Sequence, residues 1–313
     1  MMPRHLLSSF SRVTRRVLVF PSVTLLLLLL CLAAACREDA TEVGTRADGT
    51  SRNAAPSPVQ AEVAKADSLD KGDLKLRYQP RKNFRADNSS RRIGSNEQAL
   101  EKVIANLNER LALPFDIAVS FEDCDDPDAF YEPETHQLAI CYQLIDEYYG
   151  LFSRHVKDKG KLDDAVRGAV ASTFFHELGH GLVDAWQIPV TGKEEDAVDQ
   201  LSTLVLIKQS EEGERMALAG AVSFKLYADR DKGWEHVYWD EHSLDEQRFY
   251  DTICLVYGHD PEKYAYLVQD GTLPRERAEL CAEDYPKIAK SWERLLKPYL
   301  KQPPRPDPAL SPK

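Results

Sequence analysis

Phe174-Phe175-His176-Glu177-Leu178-Gly179-His180 sets an H-E-x-x-H pattern inside an apolar run that reads as one helix. Helical residues four apart stand one above the other on a single face. His176 and His180 can therefore offer two imidazole nitrogens to one zinc ion. Glu177 stands beside them, placed to take a proton from zinc-held water. The helix is expected over 162–186, with Val170 and Ala171 on the apolar side of Phe174 and Phe175. Gly168, Gly179 and Gly181 are poor helix formers. The last two flank His180, where they let another backbone or a substrate approach closely. Pro189 ends the run, and Thr191-Gly192-Lys193 turns the chain.

A catalytic zinc usually takes three protein ligands and one water. The third is sought after the turn, in Glu194-Glu195-Asp196-Ala197-Val198-Asp199-Gln200. Glu195 is assigned as the ligand. Asp199 lies four residues on, on the same face, and can accept a hydrogen bond from the far nitrogen of His176. Glu194 and Asp196 are the alternative ligands. A plainer reading of these acids is a solvated helix start, since acids favour first turns. The longer three-histidine pattern is missing, because Val183 replaces its glycine and Trp186 its third histidine. The bland account of the histidines themselves is a helix with two buried, hydrogen-bonded imidazoles. The apolar helix, the acidic helix and the export features below weigh against it.

Hydrolysis needs a second donor for the oxyanion. His242 is the candidate, in Trp239-Asp240-Glu241-His242-Ser243-Leu244-Asp245-Glu246. Arg248, Tyr250 and Tyr238 are others. Ser243 followed by Glu246 also fits a helix capping box, which accounts for neither His242 nor Arg248.

The N-terminus carries Arg4, Arg12, Arg15 and Arg16, then an apolar run from Val17 to Ala35, with no acid before Glu38. It reads as a secretory signal peptide over 1–35. A membrane anchor is the rival, though short for a span unless 17–24 is included. Ala33-Ala34-Ala35 before Cys36 resembles a lipoprotein processing box, with Ala33 where the usual leucine stands. Cys36 is then the lipidated first mature residue, and the following Arg37 favours an outer-membrane destination. Ordinary cleavage near Ala35 is the alternative, leaving a periplasmic or secreted protein. Removing four arginines and no acid takes the formal charge from -11 to -15. That charge does not suggest a nucleic-acid partner. The membrane is expected to be met only through the lipid. Cys124, Cys141, Cys254 and Cys281 suggest two disulfides in an exported chain. Sequence order favours Cys124–Cys141 and Cys254–Cys281 among three possible pairings.

Residues 36–94 read as a flexible tether, polar and poor in periodic apolar residues. A short ordered arm could include Leu74, Leu76 and Tyr78, and could even inhibit the site. The folded domain is expected over 95–301, and a proline-rich tail over 302–313. Its length suits a single core. Helices are expected over 97–111, 144–156, 194–207, 212–227, 242–256 and 261–268, and over 276–300 with a break near Pro286. Strands are expected over 115–121 and 136–142, with an acidic loop at 122–135. The class is α+β: a small sheet packed on the H-E-x-x-H helix, followed by a mainly helical half.

Several blocks together resemble a bacterial metallopeptidase family once classed as a domain of unknown function. They are Phe121-Glu122-Asp123-Cys124, Ala129-Phe130-Tyr131-x-Pro133, Cys141-Tyr142, Phe175 to His180 and Gly192 to Gln200. Glu241-His242-Ser243-Leu244-x-x-Gln247-Arg248-Phe249-Tyr250 and Cys254-x-x-Tyr257-Gly258-x-x-Pro261 complete the set. Asp125 stands where a glycine is expected. The resemblance covers about residues 95–295 and implies a zincin-like zinc peptidase with two histidines on one helix and a glutamate on the next. It does not supply a substrate. The expected function is hydrolysis of peptide bonds in the cell envelope. A peptidoglycan or small-amide hydrolase is the first rival, and an inactive zinc-stabilised binding protein the second.

Overall fold

The computed structural model describes residues 66, 68–79 and 97–301. The expected signal peptide, Cys36 and the proline-rich tail lie outside the described residues. Among the described residues, no helix is long and apolar enough to cross a membrane.

Four strands form one sheet in the order β1-β2-β4-β3: β1 (Leu74–Tyr78), β2 (Ile117–Glu122), β3 (Ala129–Glu132) and β4 (Gln137–Cys141). β1 and β2 run parallel, as do β2 and β4, while β3 pairs antiparallel with β4. Ile117, Val119, Leu138 and Ile140 are completely buried. The sheet corrects two expectations. The segment expected as tether supplies β1, paired at the far edge of the sheet from β3, so the fold begins well before residue 95. The acidic stretch expected as a loop contains β3, where Phe130 pairs with Ala139 and Tyr131 with Leu138. Cys124–Cys141 then closes the loop between β2 and β4.

The helices are α1 (Glu97–Asn108), α2 (Tyr142–Ser153), α3 (Lys159–Trp186), α4 (Glu194–Ile207) and α5 (Glu211–Arg230). They continue with α6 (Asp245–His259), the single turn α7 (Tyr266–Gln269) and α8 (Arg275–Leu296). The class is α+β, with a zincin-like arrangement of sheet and central helix. From Val166 to Trp186, α3 buries most of its residues, as a helix enclosed by neighbours does. Asp158 caps its start by accepting from the Lys161 N–H. Gln187 ends it in the left-handed conformation, at φ 51°. Trp186 donates its indole N–H to the Ala112 carbonyl, which fixes that end to the sheet side of the domain.

Two expected boundaries move for a physical reason. α6 begins at Asp245 and not at His242, because the preceding polar groups are engaged elsewhere. The His242 N–H meets Asp240 Oδ1, and the Lys193 ammonium reaches the carbonyls of Asp240 and His242. The capping box that Ser243 and Glu246 would fit is not formed. Gln247 Oε1 accepts from the Leu244 N–H, and Ser243 donates to Asp196. α8 passes through Pro286 without a break. The Cys254–Cys281 disulfide before the proline and buried Trp292 after it hold the helix to its neighbours.

Gly179 shows why the central helix needs a small residue. A Cβ there would lie 2.8 Å from the Val198 Cβ on α4. Alanine normally favours a helix by about 1 kcal/mol over glycine, but overpacking costs about 1–3 kcal/mol. Gly179→Ala is therefore expected to lower stability in denaturant unfolding. Gly150, in α2, has nothing within 4 Å of its would-be Cβ. Gly150→Ala is expected to raise stability by up to about 1 kcal/mol.

Candidate metal centre

α3 and α4 cross where Gly179 admits Val198, and this brings His176, His180 and Glu195 together. His176 Nε2 lies 3.0 Å from Glu195 Oε2. His180 Nε2 lies 3.4 Å from Glu195 Oε1 and 3.3 Å from His176 Nε2. Donors about 2.0–2.1 Å from one tetrahedral zinc stand about 3.3 Å apart, so these separations suit a shared ion. His242 reaches the same cluster, with Nε2 3.0 Å from Glu195 Oε2. His176, Glu195 and His242 each offer an atom within 4.8 Å of the other two.

Glu195 Oε2 is buried and accepts no hydrogen bond of good geometry, although two imidazole nitrogens stand 3.0 Å away. The nitrogens approach it without pointing at it. A buried anionic oxygen without a partner is costly. A cation between these groups removes that cost. The donor set, imidazole nitrogens with a carboxylate, fits a borderline-soft divalent metal.

The opposite faces of both helix histidines are held. Asp199, expected beside the far nitrogen of His176, lies 2.7 Å from its Nδ1. Glu194, expected as an alternative ligand, lies 2.8 Å from His180 Nδ1. Each carboxylate fixes the tautomer that leaves Nε2 facing the cluster. Arg248, one of the further candidate oxyanion donors, places its Nε and Nη2 2.7 and 2.9 Å from Asp199. Its guanidinium also covers the Phe224 ring. It supports the carboxylate that orients His176. Asp196, the other alternative ligand, takes the Ser243 hydroxyl at 2.7 Å. Tyr238 is largely exposed, and neither it nor Tyr250 lines the cavity beside the cluster.

The charges follow from burial and contact. Burial opposes ionisation of Asp199, but His176 and Arg248 hold its carboxyl down to about 2. Burial also opposes protonation of His176, yet Asp199 and Glu195 raise it to about 9. Glu195 is held well below the usual carboxylate range: contacts with His176, His180 and His242 outweigh its burial. Glu177 shows the reverse. Burial pushes it up to about 7, against the pull of His176 and His180. Its Oε1 stands 4.0 Å from His176 Nε2, beside the cluster and not within it.

A metal bound through His176 would displace the proton that Asp199 and Glu195 favour on its ring. Apparent metal affinity is therefore expected to rise with pH from 6 towards 9. The slope is about tenfold per pH unit for each proton displaced. Chelator competition at several pH values measures this. A flat profile contradicts the placement of the ion on His176.

The family whose description reads "Putative metallopeptidase" matches residues 78–296, more than two thirds of the chain. No curated protein and no solved structure matches. The matched span carries both histidines of α3, Glu177, the acids of α4, His242 and Arg248, and the chain belongs to this metallopeptidase family.

Proposed function

We propose that the protein is a zinc-dependent peptidase acting on polypeptide substrates in the cell envelope. The observation that carries this reading is the partnerless Glu195 Oε2 amid His176, His180 and His242, with buried Glu177 alongside. His176, His180 and Glu195 would hold the ion. When bound, zinc supplies an acidified water and polarises the scissile carbonyl. Glu177, raised towards neutrality by burial, takes the proton of the attacking water and delivers it to the leaving amine. Asp199 and Glu194 keep the two imidazoles from rotating. His242, at the half-exposed rim, donates from Nε2 to the developing oxyanion.

The two disulfides fit an oxidising, exported compartment. Export through the N-terminal signal, with lipid on Cys36 anchoring the mature chain at the outer membrane, belongs to the same proposal. Mass analysis of the mature N-terminus tests it, and an unmodified Cys36 overturns the anchor.

One observation favours a second reading. His242 shares Glu195 Oε2 with His176, so it can complete a four-ligand, closed site. A closed site would make the protein a metal-stabilised scaffold. Incubation with an unfolded protein separates the two. Cleavage that a chelator stops and zinc restores supports the peptidase. Bound zinc without cleavage supports the scaffold, and zinc retention that depends on His242 strengthens it.

A further inference from the structure

A cavity of about 300 Å³ opens directly beside His176 and Glu177. Tyr148, Phe224 and Tyr227 form an aromatic wall, and Asp245 lies at the start of α6 within the same lining. The Asp245 carboxylate is partly buried and has neither a hydrogen bond nor an ion pair among the described residues. Arg248 and Arg230 act on it only through space, because each is bonded to another carboxylate. Arg248 grips Asp199, and Arg230 is held by Glu147 and Asp231. Asp128 is a further carboxylate of the lining, beside Glu177 and Asp199, and its Oδ1 takes only the adjacent Ala129 N–H. No lysine lines the cavity, and its one arginine is the Arg248 that grips Asp199.

A helix start explains an acid at Asp245 without any ligand. Glu246 serves that electrostatic role equally and lies outside the cavity. What the helix does not explain is a carboxylate facing the cavity, where burial makes its charge costly.

We propose that this cavity is the side-chain specificity pocket of the site, and that Asp245 anchors a lysine or arginine of the substrate beside the cleaved bond. The inference rests on the peptidase reading. The long alkyl stem of a basic residue packs against the rings, as such stems do on apolar surfaces. Its charged head gains from the ring faces and from the unpaired carboxylate.

The test uses the full mature chain loaded with zinc. One arm measures binding of benzamidine, a flat cation, against neutral benzamide. The other compares cleavage of peptides that differ only in Lys, Arg, Leu or Glu beside the scissile bond. The pocket predicts that benzamidine binds at least tenfold more tightly than benzamide, and that Asp245→Asn removes the difference. It also predicts at least tenfold higher kcat/KM for Lys and Arg peptides. Asp245→Asn should abolish that ratio, and Asp245→Lys should shift preference towards Glu. Thermal melting of both variants checks that they fold, and a purely structural Asp245 would lower stability without moving the ratios. Cleavage without basic preference, or a preference unchanged in Asp245→Asn, overturns the pocket and leaves the peptidase standing. Asp245-dependent benzamidine binding without cleavage of any peptide removes the peptidase reading and keeps a cation-binding cavity.

Discussion

Glu177→Gln is expected to keep the metal at the wild-type level and to lower kcat/KM on a peptide by about 10²–10⁴-fold. The substitution preserves size and the buried position but removes the proton acceptor. Glu177 stands outside the donor cluster, 4.0 Å from His176 Nε2, so its loss leaves the ion's own partners in place. Burial holds its carboxyl at about 7 in the metal-free protein. The base works only when ionised, so wild-type activity falls as pH drops through its pKa, and the glutamine variant lacks that acid limb. Steady-state kinetics across pH, paired with metal analysis, measures both effects. A variant that cleaves at the wild-type rate would remove Glu177 from the chemistry.

Asp199→Ala is expected to damage both stability and metal binding. Asp199 receives His176 on one oxygen and two guanidinium nitrogens of Arg248 across both. Removing it leaves Arg248, largely buried, without its hydrogen-bonded counter-ion. Breaking a buried pair from one side costs about 3–5 kcal/mol. Losing the group that orients a ligand histidine lowers metal affinity by about 10–100-fold. The pH sign follows from a depressed carboxyl. Asp199 stabilises the fold above its unfolded value of about 4, and that contribution disappears as pH falls towards about 2. The alanine variant should start lower at neutral pH and lose less over that acid range. Denaturant unfolding gives the stability, and chelator competition gives the affinity. Wild-type values in both would show that Asp199 orients nothing.

Much of this site was legible because its parts are local. The expected helix over 162–186 lies within Lys159–Trp186, and the expected 194–207 matches Glu194–Ile207. Four-residue spacing was enough to put His176 above His180, and Glu195 on the face of Asp199. Partners distant in sequence were harder to read. Arg248 meets Asp199 across 49 positions, and nothing near either residue announces the pairing. β1 joins β2 across the whole length of α1, and its short amphipathic pattern reads equally well as a loose arm. β3 is only four residues long and sits among acids and turn formers, so its strand character comes from pairing with β4. The start of α6 moved because Lys193 and Asp240 engage backbone groups around His242, a contact between segments that local pattern cannot contain. The cavity beside His176 joins residues from the segment before β3 and from α2 through α6, and was likewise invisible before the fold assembled them.

In the proposed site, His176, His180 and Glu195 hold one zinc ion. Elemental analysis of the purified chain, after supply of zinc and removal of excess, counts that ion. The expected result is about one zinc per wild-type chain, the same in Glu177→Gln, and little or none in His176→Ala and Glu195→Ala. A folded, zinc-supplied wild-type chain that retains no zinc would contradict it.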